Sequence, residues 1–255
     1  MENENSFELV VIGSSSAGNA YLMKIDGEVI LVECGFPYKK LIKETLYTPI
    51  KLEEAKACLI THGHKDHALA IKEINKMMPT FASMPTLQDS LKIIKANQIL
   101  HALEAKQITS KIKIFPFEVV HDFPQSLGFI IVSETTKVLF INDCSKILVN
   151  LENWDFDYIF IECNYVDQLL HIQLNKAVQD GNRIIFKQLD RVHKVHLGLA
   201  GTLKILKSMK LDKTKAIFLM HLSDHNANIK MIKEKCDTEL PGKRVFICRK
   251  NGGLE

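Results

Sequence analysis

One short segment constrains this chain more than any other, because it joins a strand-like apolar run to a cluster of ligand-type side chains. The apolar run Ala57–Thr61 leads into the letters HGHKDH at positions 62–67, which place three histidines and one aspartate within six residues. Side chains two positions apart on an extended chain point the same way, so His62 and His64 can bind one cation. The spacing predicts a metal site at the end of a buried strand.

Three further candidates occupy the same kind of position later in the chain. His121, Asp143 and His221 each directly follow an apolar, strand-like run, and strand ends are where α/β proteins gather their sites. The seven candidates divide into two ligand sets that share one carboxylate. These are His62, His64 and His121 for one metal, Asp66, His67 and His221 for a second, and Asp143 as the bridge between them.

The donor set indicates both the metal and the chemistry. Imidazole and carboxylate ligands without cysteine favour Zn²⁺, while Mn²⁺ or Fe is also compatible. Two such ions about 3.5 Å apart share a hydroxide, lower its pKa toward 7 and stabilise the attacking and leaving oxygens of a displacement. The sequence therefore predicts a hydrolase with two divalent ions, in which Asp66 is a catalytic residue as well as a ligand.

Composition limits the class of protein. The 255 residues are 46% apolar and 25% charged, which excludes a disordered tail or a collagen-like fibre. No apolar run approaches the roughly 20 residues that a membrane span needs, and the N-terminal residues lack the features of a secretory signal. Six scattered cysteines without a CxxC pair are typical of reduced thiols. We expect a soluble cytoplasmic protein with no membrane partner. The formal charge of +3 does not by itself indicate nucleic acid.

The order of predicted elements indicates the architecture. Strand-like runs and helices occur in both halves, and no repeat or linker divides the chain, so we expect a single domain over residues 1–255. Two mixed sheets packed together and flanked by helices give a four-layer αββα arrangement in the α/β class. Three of the predicted helices span Phe36–Tyr47, Asp66–Met77 and Leu87–Ala96, whereas the stretch Lys187–His196 is predicted to be a basic loop.

Several segments resemble a known family. The run Thr61–His67 is similar to the HxHxDH motif of the metallo-β-lactamase fold superfamily, and the later ligand candidates fall where that motif's partners would. Within it, Gly13–Asn19, Glu162–Tyr165 and His221–Ser223 resemble the small YycJ/WalJ-type group of DNA exonucleases. This resemblance implies an αββα sandwich, a centre of two metal ions and hydrolysis of DNA from its ends.

The sequence departs from the family pattern at three places. Glu33 stands where the fold usually has the aspartate that orients a ligand histidine. Asn142 replaces the customary threonine before the bridging aspartate. Gly198 replaces the serine that follows a late histidine-leucine pair, here His196 and Leu197. No departure removes a predicted metal ligand.

Four residues outside the ligand sets are candidates for substrate contacts or catalysis. The resemblance implies that His196 protonates the leaving oxygen as a general acid; the alternative is a hydrogen-bonded histidine in a solvated loop. Lys194 beside it would contact phosphate. Asn164 follows a buried strand and would contact substrate, although a plain turn residue is equally compatible. Ser15 would donate a hydrogen bond near the metals.

These observations predict a metal-dependent phosphodiester hydrolase that acts on DNA ends as an exonuclease. The first alternative is a hydrolase of a small phosphodiester such as a cyclic nucleotide, or of a thioester or lactam. The second is a nucleic-acid-binding regulator that keeps the metal site without turnover. An exonuclease needs an open basic groove that follows several phosphates, whereas a small-molecule enzyme needs a closed pocket. Strand polarity, the native metal and the oligomeric state stay open at this stage.

Overall fold

A computed structural model of the protein describes residues 7–152 and 154–255. Residues 1–6, part of the segment in which we predict no secretory signal, lie outside the described residues, as does position 153. Among the described residues no helix is both long and apolar enough to cross a membrane.

The first sheet contains five strands in sequential order. Its first three strands run antiparallel and its last three run parallel, so the sheet is mixed. Asp26 and Gly27 form the tight turn between the second and third strands, and both have positive φ. The strands are β1 (Phe7–Ser15), β2 (Gly18–Ile25), β3 (Glu28–Val32), β4 (Ala55–Leu59) and β5 (Thr80–Phe81).

The second sheet is also mixed. The strands that begin it pair antiparallel, while β9, β11, β12 and β13 run parallel to one another. Its order is β10-β7-β8-β9-β11-β12-β13, with β6 beside β7. The strands are β6 (Lys106–Gln107), β7 (Lys113–Val120), β8 (Leu127–Val132), β9 (Lys137–Ile141), β10 (Lys146–Ile147), β11 (Tyr158–Glu162), β12 (Ala216–Met220) and β13 (Val245–Ile247).

Helices cover the outer face of each sheet. Between the sheets, Tyr21, Phe140 and Phe160 pack in one buried cluster. The helical residue Ile71 packs outside the first sheet and the helical residue Leu203 packs outside the second, which gives the four predicted layers. The helices are α1 (Tyr38–Thr45), α2 (Lys65–Ala68), α3 (Ile71–Met77), α4 (Met84–Ser90), α5 (Asp167–Gln179), α6 (Arg183–Val195), α7 (Leu199–Ser208) and α8 (Ile229–Glu239), with 3-10 turns at Leu52–Glu54 and Ala96–Gln98.

Two of the predicted helices were wrong in their extent. The helix expected over Asp66–Met77 is broken between α2 and α3, because Ala70 donates its N–H to the carbonyl of Cys34 and the Asn19 amide contacts the carbonyl of Asp66. These long-range bonds replace the helical bond that would have joined the two pieces. The helix expected over Leu87–Ala96 is instead α4, which ends where Leu91 becomes extended.

The predicted basic loop at Lys187–His196 was also wrong, since most of it belongs to α6. Leu189 and Val192 lie three residues apart on one face of this helix and pack against α5. The side chain of Asn182 caps the helix by accepting the N–H of Ile185. His196 follows the last residue of α6 in extended conformation.

Candidate metal centre

The predicted ligands meet at one edge of the two sheets, where several strands end. His62 follows β4, Asp143 follows β9 and His221 follows β12. Asp143 and His221 have φ of 43° and 57°, and Glu33, which follows β3, has φ of 64°. Left-handed backbone is uncommon for residues other than glycine, and such strain concentrates at functional sites. The chain therefore turns sharply just where each of these three side chains enters the site.

The three-histidine set converges on one point. His64 Nδ1 lies 3.0 Å from His62 Nε2 and 3.3 Å from His121 Nε2. A tetrahedral zinc ion with Zn–N bonds of 2.0–2.1 Å separates its ligand nitrogens by about 3.3 Å. The spacing of these nitrogens therefore fits one metal ion. The opposite nitrogen of His121, Nδ1, lies 3.1 Å from the carbonyl of Val195; donation there leaves Nε2 with its lone pair free for a metal.

The second ligand set, Asp66, His67 and His221 with the shared Asp143, lies directly beside the first. It combines carboxylates with imidazoles, and we call it the mixed set. His67 Nε2 is 3.4 Å from Asp66 Oδ2 and 3.4 Å from Asp143 Oδ2, while His221 Nε2 is 3.6 Å from Asp66 Oδ2. Asp143 Oδ2 is also 3.9 Å from His121 Nε2 of the first set. Within the described chain, His221 Nε2 is buried and has no hydrogen-bond partner, as expected for an atom that a metal would bind. These donors and this orphaned nitrogen fit a second divalent ion, with Asp143 between the two.

The two sets differ in their titration. Burial lowers the pKa of His62 and of His121. Burial is the largest single influence and opposes the charged forms of His67 and His221, but the carboxylates around each ring, Asp143 foremost, together outweigh it and raise the pKa of both rings well above the ordinary value. In return the His221 and His67 rings hold the pKa of Asp143 well below its usual range, against the effect of its burial. The fold and this cluster indicate a divalent-metal site.

Glu33 supports the site from beneath. Its carboxylate accepts a 2.5 Å hydrogen bond from Thr61 Oγ1 and lies 3.3 Å from His67 Nδ1. Thr61 Oγ1 in turn is 3.0 Å from His62 Nδ1. The glutamate that replaces the family's usual aspartate therefore reaches a ligand histidine, and through Thr61 it is connected to a second one.

Glu162 and His196 form a buried pair beside the shared aspartate. His196 Nδ1 is 2.5 Å from Glu162 Oε1 and 3.9 Å from Asp143 Oδ2. The other oxygen of Glu162 accepts the backbone N–H groups of Cys144 and Leu197 at 2.9 and 3.0 Å. Burial acts to lower the pKa of His196, but the Glu162 and Asp143 carboxylates together outweigh it and raise that pKa above its ordinary value.

Glu162 is not among the predicted site residues, although its position in the sequence carries a signal. The residue ends β11, between the strands that precede Asp143 and His221 in the sheet. It is fully buried, and a charged residue at the end of an apolar strand is rarely buried without a partner. Glu162 Oε1 also lies 3.1 Å from His221 Nδ1, so it contacts a predicted ligand as well as His196.

Of the three residues predicted to contact substrate, two are buried and bonded to backbone groups, and the third is exposed. Asn164 is buried and donates to the carbonyl of His221 at 2.9 Å, so it holds the His221 loop. The Ser15 hydroxyl is buried and accepts the N–H of Ala17, whereas its neighbour Ser14 accepts the N–H of His221 at 2.8 Å. Lys194 lies on the exposed side of α6.

Comparisons with known structures agree with this fold. The structure of the metallo-beta-lactamase fold protein YhfI from Bacillus subtilis has a TM-score of 0.68 at 16% identity, covering 97% of this chain and 98% of that one. A diphosphatase from the PhnP family gives 0.64 at 16% identity, covering 97% and 96%. The short form of human tRNase Z gives 0.56 at 17% identity, covering 85% and 93%. No curated protein matches the chain.

A family model confirms the membership independently of the fold. The model described as a beta-lactamase superfamily domain matches residues 29–222. This span begins in β3 and includes the HGHKDH segment, Asp143 and His221. The two mixed sheets flanked by helices are those of the metallo-β-lactamase fold neighbours, which confirms the predicted fold class. The chain belongs to the beta-lactamase superfamily.

Proposed function

We propose that this protein is a metal-dependent phosphodiester hydrolase that removes nucleotides from DNA ends, as the resemblance to the YycJ/WalJ-type group implies. The proposal includes two divalent ions, Zn²⁺ or Mn²⁺ with Fe also compatible, and a single cytoplasmic domain over residues 1–255. The observation that carries it is the position of His196, a buried histidine paired with Glu162 at 2.5 Å and 3.9 Å from Asp143. A proton donor next to a shared metal ligand suits a reaction with a poor leaving group.

The ligand residues divide the work in this proposal. His62, His64 and His121 would hold one ion and Asp66, His67 and His221 the other, and Asp143 lies between the two ligand sets. When bound, the ions supply a water molecule acidic enough to attack near neutral pH and neutralise charge on the phosphate.

His196 supplies the proton that the departing alkoxide needs. Its Nδ1 faces Glu162, so in the protonated ring Nδ1 donates to that carboxylate and Nε2–H is the proton available for transfer, which leaves a neutral ring with Nδ1–H. The neighbouring Glu162 carboxylate raises the pKa of His196 above its ordinary value, which favours the protonated ring. Glu162 positions the ring, since both of its oxygens are fixed by further hydrogen bonds.

The neighbours support the phosphate class of substrate. Two of the similar folds are named as a diphosphatase and as a tRNase Z. Together with the proton donor, these names favour a phosphodiester over a thioester or a lactam for this chain.

The test is a substrate panel with the metal-loaded protein. We expect Mn²⁺- or Zn²⁺-loaded protein to shorten end-labelled single- or double-stranded DNA from its ends, and the Asp143→Asn variant to leave the same DNA intact. A parallel series contains cyclic nucleotides, a thioester and a β-lactam. Turnover of a cyclic nucleotide alone would replace the exonuclease by a small-phosphodiester enzyme. If the loaded protein turns over none of these substrates, the proposal is wrong.

A further inference from the structure

A helical hairpin stands beside the metal centre and packs mainly against itself. Its two helices, α5 and α6, meet through a small cluster formed by Leu170 and Leu189 with Tyr165, and Leu174 and Val192 flank this cluster. Almost every other residue of α6 is exposed. A helix with so little of its surface buried has a face available for a ligand.

That face is basic. An α-helix advances about 100° per residue, so four basic residues of α6 fall within an arc of about 80° on the side opposite Leu189 and Val192. They follow one another at intervals of four, four and three residues, about 6 Å apart along the axis for the wider intervals. α6 contains a single acidic residue, Asp190. We name these four residues the basic stripe: Arg183, Lys187, Arg191 and Lys194.

One end of the basic stripe reaches the three-histidine ligand set. Arg191 bonds Asp122 Oδ2 through Nε at 2.7 Å and Nη2 at 2.6 Å. Asp122 Oδ1 is 3.1 Å from His121 Nε2. The carbonyl of Val195, near the same end of α6, lies 3.1 Å from His121 Nδ1. The basic stripe therefore begins at the rim of the metal centre and leads away from it for roughly 16 Å, the rise of eleven helical residues.

The exposure of the stripe leaves its charge available to a ligand. The side chains of Arg191 and Lys194 are 54% and 67% exposed although each has an acidic neighbour. Arg183 and Lys187 are also exposed. Regularly spaced cations on one line match a polyanion with regularly spaced charges, which is how proteins follow a nucleic-acid backbone without reading its sequence.

We infer that the basic stripe binds the phosphate backbone of a nucleic-acid strand whose end lies in the metal centre. The inference rests on the proposed function and deepens it, because it assigns a polymeric substrate and the direction in which the strand leaves the site. A cyclic nucleotide is too short to reach Arg183 from the metals, so the far half of the stripe distinguishes a strand from a small phosphodiester.

The experiment removes the far half of the stripe. The double variant Arg183→Gln/Lys187→Gln is compared with Lys72→Gln/Lys76→Gln, which removes two exposed lysines at the same i, i+4 spacing from α3 outside the first sheet. The probe is a fluorescein-labelled single-stranded DNA with phosphorothioate linkages that resist hydrolysis, and binding to Mn²⁺-loaded protein is followed by fluorescence anisotropy over a salt series. Circular dichroism checks that both variants are folded.

We expect the α6 variant to lose roughly 5- to 30-fold in affinity near 0.1 M salt and to lower the log–log salt slope by about 1.4, or 0.7 for each of two phosphates. The α3 variant should retain the wild-type affinity and slope. Equal behaviour of the two variants, or no binding of the strand by wild type, would overturn the inference. Turnover of bis(p-nitrophenyl) phosphate by the wild-type protein tests the proposed function separately. If the wild type turns over this ester but the α6 variant binds the strand as tightly as the wild type does, the proposed function stands and the inference about the basic stripe is wrong.

Discussion

The two ligand sets of the centre lie side by side, but the pKa values of His62 and His121 in one set and of His67 and His221 in the other shift in opposite directions. Burial lowers the pKa of His62 and of His121, which favours the neutral ring that binds a metal. His67 and His221 have raised pKa values because Asp143 lies against both. A metal ion therefore competes with protons more strongly at His67 and His221 than at His62 and His121. The two ligand sets therefore differ in how strongly protons compete with a metal ion, although they share the Asp143 carboxylate.

Removal of the shared carboxylate should have the largest effect. We expect Asp143→Ala to abolish measurable hydrolysis and to lower the metal content to about one equivalent, since Asp143 Oδ2 lies 3.4 Å from His67 and 3.9 Å from His121. Asp155→Ala, which removes a surface aspartate paired with Lys213, is the control. Turnover, metal content and circular dichroism are measured on the same preparations. Full activity in folded Asp143→Ala protein would contradict the two-metal mechanism.

Removal of the proton donor should have the next largest effect and should leave both sets loaded. We expect His196→Ala to lower kcat about 10²–10⁴-fold on a phosphodiester with a poor leaving group. The loss should be much smaller on a p-nitrophenyl ester, because that leaving group needs little protonation. His193→Ala, an exposed histidine of α6, is the matched control. Equal losses on both substrates would make His196 a substrate-positioning residue instead.

A change at Glu33, which contacts a ligand histidine, should lower the metal affinity of the mixed set more than that of the three-histidine set, without abolishing binding at either. We expect Glu33→Gln to weaken metal binding at the mixed set about 10- to 100-fold, as is typical when the group that orients a ligand histidine is changed. Competition with a metallochromic chelator measures this. The control is Glu28→Gln at the other end of β3, whose buried carboxylate bonds Lys56, Ser110 and Lys111 far from the metals. That variant should lower thermal stability and keep metal affinity; the reverse pattern would contradict the assignment.

The fold and the ligand clusters follow from local patterns to a large extent. Apolar runs with ligand-type residues at their ends predicted both sheets and the residues that now lie together at one edge. The break after Ala68 was not predictable in this way, because it depends on Cys34, Asn19 and Asp66, which come together only in the folded chain. Likewise Glu162 contacts His196, which lies 34 residues further along the chain, and no local pattern shows that contact.

Gly198 illustrates how a departure from a motif is compensated. A serine Cβ at this position would collide with the ring of Tyr165, so the glycine makes room for that ring. The N–H of Ala200, near the start of α7, bonds to Asp167 Oδ2 at 2.9 Å, the kind of bond that a capping serine would otherwise accept. The compensation comes from residues more than 30 positions away, which explains why the sequence alone did not indicate it.

The inequality of the two ligand sets is tested most directly by metal content as a function of pH. Protein equilibrated with Zn²⁺ or Mn²⁺ is separated from free metal at a series of pH values and analysed by inductively coupled plasma mass spectrometry. Because raised pKa values keep His67 and His221 protonated to higher pH, the mixed set should lose its ion first as pH falls. We predict about two equivalents in mild alkali and a plateau near one equivalent in mild acid, before the second ion is lost. Simultaneous loss of both ions, or well under one equivalent at every pH, would contradict this account.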